Sequence, residues 1–177
     1  MTSTTDLRYP IGKFHREENL TESRRNEMIT IIAETPRKLR EAVQNLTDEQ
    51  LTMPYRSGGW TVKQLVHHIA DSHINAYCRF KLTLTEEKPT IKPYEEGLWA
   101  QLKDTEETAI EVSLTLLEAL HTRWVTILRS MSEADFRRLL VHPESGEQPL
   151  ERMLGLYAWH GLHHVAHITA LRERMGW

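Results

Sequence analysis

The stretch Tyr157-Ala158-Trp159-His160-Gly161-Leu162-His163-His164-Val165-Ala166-His167 holds four of the chain's ten histidines and lies inside a proline-free run from Leu150 to Met175. At roughly 100° per residue, a helix over this run gathers Met153, Tyr157, His160, His164, His167, Leu171 and Met175 into one stripe, which must face a core. His163 falls toward the edge of that stripe. Pro149 suits the first turn of such a helix, where its missing N–H is not needed.

A helix with so wide an inward face needs neighbours, and three more patterns precede it. From about Ala109 to Ser130, Ile110, Leu114, Leu117, Leu120, Trp124 and Leu128 share a side that also holds His121. The loop Met53-Pro54-Tyr55-Arg56-Ser57-Gly58-Gly59 ends in Thr61-Val62-Lys63-Gln64, a Thr-x-x-Gln capping box with Trp60 and Leu65 placed as its staple. A helix starts there and runs to about Leu84. From about Thr21 to Leu46, Met28, Ile32, Leu39, Val43 and Leu46 recur at helical spacing. Pro36 is expected to kink or restart this helix, because it removes a backbone donor. Lys88 to Tyr94 has prolines and no period and reads as a long loop. Ser132-Glu133-Ala134-Asp135 looks like the cap of a short helix, and His142-Pro143-Glu144-Ser145-Gly146 like a turn. Strand signals are almost absent. The expectation is all-α: a four-helix bundle formed by residues 1–177 as a single domain, with 1–20 an extended N-terminal segment.

Composition agrees and narrows the partners. A chain of 177 residues is about one domain long, and 40% hydrophobic with 27% charged residues is ordinary for a globular protein. Lys+Arg 22 against Asp+Glu 25, a net charge of -3, leaves no cationic excess to neutralise phosphates, so no nucleic-acid partner is expected. No apolar run approaches the roughly 20 residues that span a bilayer, and Met1 to Arg8 is polar, so a cytoplasmic protein without a membrane partner is expected. The single Cys78 cannot form an internal disulfide or a multi-cysteine zinc site.

The histidines carry the chemistry. His160 and His164, four residues apart, present two imidazoles on one face, close enough to share a metal ion. A third ligand must come from another element, and the second long helix offers His67, His68 and His73. The stripe of Val62, Leu65, Val66, Ile69, Ala76 and Phe80 centres nearest His73. His67 and His68 lie toward opposite edges, yet a bundle helix touches two neighbours, so His67, on the side of Ala70 and Ile74, could still face the last helix. His121 is another inward candidate, as a core histidine or a hydrogen-bond partner behind the metal.

Taken together, Tyr9-Pro10-Ile11-Gly12, Gly58-Gly59-Trp60-Thr61-Val62, His67-His68-Ile69-Ala70-Asp71-Ser72-His73, Arg79-Phe80-Lys81-Leu82, Gly155-Leu156-Tyr157-Ala158-Trp159-His160, His163-His164-Val165-Ala166-His167-Ile168-Thr169 and Met175-Gly176-Trp177 resemble the YfiT-like branch of the DinB superfamily over essentially the whole chain. The resemblance implies a four-helix bundle, usually a homodimer, described as a metal-dependent hydrolase. It implies one divalent metal held by His67 with the pair His160 and His164, and the choice of His67 comes from the resemblance alone. It further implies that such bundles include enzymes using low-molecular-weight thiols, with this branch similar to bacillithiol S-transferases.

Three imidazoles and an open position describe a catalytic rather than a structural site. Zinc and nickel both suit imidazole ligands. The same charge acidifies a bound water for hydrolysis or a bound thiol for S-transfer to an electrophile. No Glu follows a ligand as in zincins, which tilts the expectation toward S-transfer with bacillithiol as cosubstrate and hydrolysis as the alternative; a non-catalytic metal-binding bundle is the third reading. Asp71, one turn after His67, is the candidate to orient a ligand, Arg56 the candidate to hold a carboxylate of the thiol, and the Tyr9 to Phe14 segment the candidate to cover a loop or a partner subunit.

Overall fold

The computed structural model describes residues 6–177. Its elements in order are α1 (Glu22–Val43), α2 (Asp48–Leu51), α3 (Val62–Thr85), α4 (Glu96–Trp99), α5 (Lys103–Glu107), α6 (Ile110–Ser130), α7 (Glu133–Phe136), the strands β1 (Leu139–His142) and β2 (Gly146–Pro149), and α8 (Leu150–Met175). The long helices start where their caps place them. Thr21 accepts the Arg24 N–H. At Thr61 both halves of the capping box are made, with the Gln64 side chain accepting the Thr61 N–H at 3.0 Å. Helix α8 ends on Gly176 in the left-handed conformation at φ 72°, where a side chain would be strained. None of the helices among the described residues is long and apolar enough to cross a membrane.

Helices α1 and α3 lie diagonally opposite each other, and each packs against both α6 and α8. Consecutive long helices therefore cross the bundle from α1 to α3 and again from α6 to α8, an order unlike a simple up-and-down bundle. Helices α1 and α8 approach closely at Gly161, where a Cβ would lie 2.7 Å from Thr35 Cγ2.

The expectation of a restart at Pro36 is corrected: α1 runs unbroken from Glu22 to Val43 through it. So is the near absence of strands. Leu139–His142 and Gly146–Pro149 pair antiparallel across the His142 to Gly146 turn. Each strand is only four residues long, too short for a period to show. The Lys88 to Tyr94 loop is anchored to this hairpin, as Ile91 N–H donates to Val141 O and Val141 N–H to Pro89 O, both at 2.9 Å. Arg138 closes the α3 C-terminus by donating to Thr83 O at 2.7 Å and Glu86 O at 3.0 Å. The Tyr9 to Phe14 segment lies against α8 of its own chain: Gly12 O accepts the Trp159 indole N–H at 3.2 Å, and Phe14 sits 6.0 Å from that ring.

The apolar interior comes in two parts. One is built around Ile32, Phe80, Trp124, Leu140, Leu150 and Leu154. The other holds Leu39, Leu65, Ile69, Leu117, Ile168 and Leu171. Between them sit polar side chains from every long helix: Thr35 on α1, His73 on α3 and His121 on α6, all buried, and the half-buried His160 on α8. Burying four such groups costs several kcal/mol unless each is hydrogen-bonded.

Candidate metal centre

His68, His160 and His164 bring one ring nitrogen each to within 4.8 Å of one another. Helix α8 supplies the pair, whose Nε2 atoms face each other 3.1 Å apart. Helix α3 supplies His68, with its ring centroid 5.5 Å from His160 and 5.0 Å from His164. His68 and His164 are buried and His160 is half-buried. Trp60, the staple of the α3 cap, covers His68 with 4.5 Å between ring centroids, so the motif that starts the helix also walls the site.

The third ligand implied by the resemblance, His67, is placed apart from this group. His67 does not reach the pair: its Nδ1 lies 2.7 Å from Ser113 Oγ on α6. Residues 67 and 68 are both buried, about 100° apart on α3, and each faces a different neighbour. His73, the choice of the helical wheel, stands behind the site, with its Nε2 3.1 Å from His160 Nδ1.

Burial sets the protonation state. It lowers the His68 imidazole to about 4 and holds His160 and His164 well below the usual value. All three are neutral at pH 7, the form in which imidazole binds a metal. The pair then places nitrogen against nitrogen in a dry interior, and His164 Nδ1 is buried without a partner. Donors of one kind converging on one point fit a divalent ion, and three protein ligands leave a further position open.

Around this centre the other candidates are dispersed. Asp71 follows His68 by one turn of α3 and is half-buried, which raises its carboxyl to about 6, with Asp104 adding to the rise. Arg56 lies over the Tyr55 ring at 5.4 Å and donates to Ser57 O at 3.0 Å, while its Nε is buried without a partner. Its charge acts on His167, whose ring lies 4.1 Å from Tyr55 and which burial first, then His163 and the cation, lower to about 3. A second histidine group, His163, His164 and His167, shares His164 with the first, and its His163 and His167 Nε2 atoms lie 3.1 Å apart. His163 stacks on Trp159 at 4.3 Å and 18°. The structure brings His68 rather than His67 beside the pair and sets His73 against both His121 and His160, a contact the sequence did not show. The adjacent His67-His68 was the available signal, and it did not say which ring faces α8.

The model of the DinB superfamily matches residues 31–168. A relative from Bacillus mycoides (strain KBAB4), named a "putative metal-dependent hydrolase", is 52% identical, the match covering 97% of this chain and 99% of the relative. "Putative metal-dependent hydrolase YfiT" of Bacillus subtilis (strain 168) is 50% identical over 100% of this chain and 99% of its own length. The solved structure of YfiT from Bacillus subtilis, described as "a probable metal-dependent hydrolase with an unusual four-helix bundle topology", superimposes with a TM-score of 0.94 at 49% identity, covering 97% of this chain and 98% of that one.

Proposed function

The chain belongs to the YfiT-like branch of the DinB superfamily, and from that premise we propose that it is a metal-dependent enzyme in which His68, His160 and His164 hold one zinc or nickel ion and a low-molecular-weight thiol of the bacillithiol type is transferred to an electrophile. The donor set carries this reading: three neutral imidazoles from two helices converge, with no carboxylate or thiolate in the group. A divalent ion there would act as a Lewis acid with an open position, making a small nucleophile more acidic.

The protein's own residues shape the rest. Helices α3 and α8 hold the ligands in a fixed fork, and Trp60 keeps water from one side of His68. Cys78, the one thiol of the chain, is exposed and is not part of the histidine group, so the reacting thiol comes from outside. A small thiol bearing carboxylates finds its complement in Arg56, whose buried Nε has no partner within the protein. The homodimer implied by the resemblance and the cytoplasmic location expected from the sequence belong to the same proposal, and sedimentation at micromolar concentration tests the first.

Hydrolysis is the second reading, favoured by one observation besides the names of the relatives. A carboxyl held at about 6, as Asp71 is, is suited to take a proton near neutral pH. One comparison separates the two: metal-loaded protein, metal-stripped protein, His160→Ala and Asp71→Asn, each assayed for bacillithiol conjugation to a simple electrophile and for ester cleavage. S-transfer requires conjugation that falls with metal removal and in His160→Ala but persists in Asp71→Asn. Metal-dependent ester cleavage that Asp71→Asn cuts by about 100-fold or more, with no conjugation, would replace it.

A further inference from the structure

We infer that the backbone carbonyl of Ile32, left without its helical donor by Pro36, fixes the ring tautomers of His121, His73 and His160 in turn and so presents a bare Nε2 of His160 to the metal group. His121 and His73 are thereby positioning residues, and the inference rests on the reading of His160 as a ligand.

The chain of reasoning begins with proline. In an unbroken helix the N–H of residue 36 would bond to the carbonyl of residue 32, and Pro36 has none. Ile32 is fully buried, so its carbonyl could not be left without a donor at little cost. His121 meets it from α6, with Nδ1 2.6 Å from Ile32 O. A carbonyl only accepts, so that Nδ1 carries the hydrogen.

A neutral imidazole has a single N–H, and therefore His121 Nε2 accepts. It lies 2.8 Å from His73 Nδ1, which must donate. His73 Nε2 is then bare and accepts from His160 Nδ1 at 3.1 Å. His160 Nε2 is left with a lone pair, aimed at His164 Nε2. Reversing the His73 tautomer would set two lone pairs 2.8 Å apart in the driest part of the bundle.

The surroundings hold the chain in place. His73 is fully buried and His121 nearly so, and their rings lie nearly coplanar, 19° apart, as an in-plane hydrogen bond requires. The edge of Trp124 meets both rings, and Tyr157 meets His73 at 86°. Burial lowers His121 to about 4 and His73 well below the usual value, so both stay neutral.

The test uses the full chain, free of metal and labelled with ¹⁵N in its histidines. Long-range ¹H–¹⁵N correlation at neutral pH is expected to show His160 as a single tautomer, protonated at Nδ1 and bare at Nε2. His121→Leu is expected to show a mixture at His160 and to bind zinc about 10- to 100-fold more weakly in competition with a chromophoric chelator. His121→Gln, which keeps one donor and one acceptor, is expected to restore most of that affinity. A proton on Nε2 of His160 in the unsubstituted protein, or His121→Leu binding zinc as tightly as that protein, overturns the inference. Should His121→Leu fail to fold, the spectrum of the unsubstituted protein decides alone. Failure of that protein to bind zinc at all would instead refute the metal reading, and the spectrum would still report the tautomer.

Discussion

Replacing Gly161 by Ala should push α1 and α8 apart one residue beyond the proposed ligand His160. The added Cβ would sit 2.7 Å from both Cγ2 and Oγ1 of Thr35, whereas ordinary contact begins at 3.4 Å, so the helices must open by the difference, about 0.7 Å. Thr35 has little room to yield, being fully buried with its hydroxyl donating to Ile31 O at 2.9 Å. Overpacking of this kind costs about 1–3 kcal/mol, and Ala in place of a mid-helix Gly returns about 1 kcal/mol. The expected net loss is about 1 kcal/mol, or roughly 2–4 °C in Tm for a chain of this size. A double-mutant cycle separates the two effects. Thr35→Ala removes the atoms that Cβ would strike, so Gly161→Ala in that background should be neutral or stabilising, with a coupling of about 1–2 kcal/mol by urea unfolding. Additivity within about 0.5 kcal/mol, or stabilisation by Gly161→Ala alone, would refute the close contact.

Acid should unfold the metal-free protein early. Burial lowers His68, His121 and His163 to about 4 and His167 to about 3, so below the unfolded value near 6.5 the unfolded chain binds more protons than the folded one. Their contribution is complete above that value and is lost as pH falls toward the folded values, at up to about 1.4 kcal/mol per pH unit for each histidine. Asp71 and Glu96, raised by burial, work in the opposite direction. Equal urea midpoints near pH 7 and pH 5 would contradict this balance. Thr61→Ala should cost about 1 kcal/mol by removing the acceptor of the Gln64 N–H, and an unchanged urea midpoint would show that the cap is dispensable. His163→Ala should keep full metal content by elemental analysis, and a drop to half or less would bring the second histidine group into the site.

How far the sequence could be read depends on length and on neighbours. The α8 stripe with its imidazoles was legible because 26 helical residues give the period time to show. The hairpin was not, since strands of four residues carry no period and only their turn leaves a mark. Pro36 misled because its cost was judged within its own helix, whereas the carbonyl it exposes is satisfied by His121, distant in sequence. Which of His67 and His68 faces α8 was not legible for a similar reason. Both rings are buried, one facing Ser113 on α6 and the other the pair on α8, and a wheel drawn on a single helix cannot say which neighbour lies where.

The central claim is that His68 completes the site with His160 and His164. Elemental analysis of the purified full chain beside its His68→Ala and His67→Ala variants tests it most directly, with circular dichroism to confirm folding. The account expects one divalent ion per chain in the unsubstituted protein, little or none in His68→Ala, and full content in His67→Ala. Full content in His68→Ala with loss in His67→Ala would contradict it.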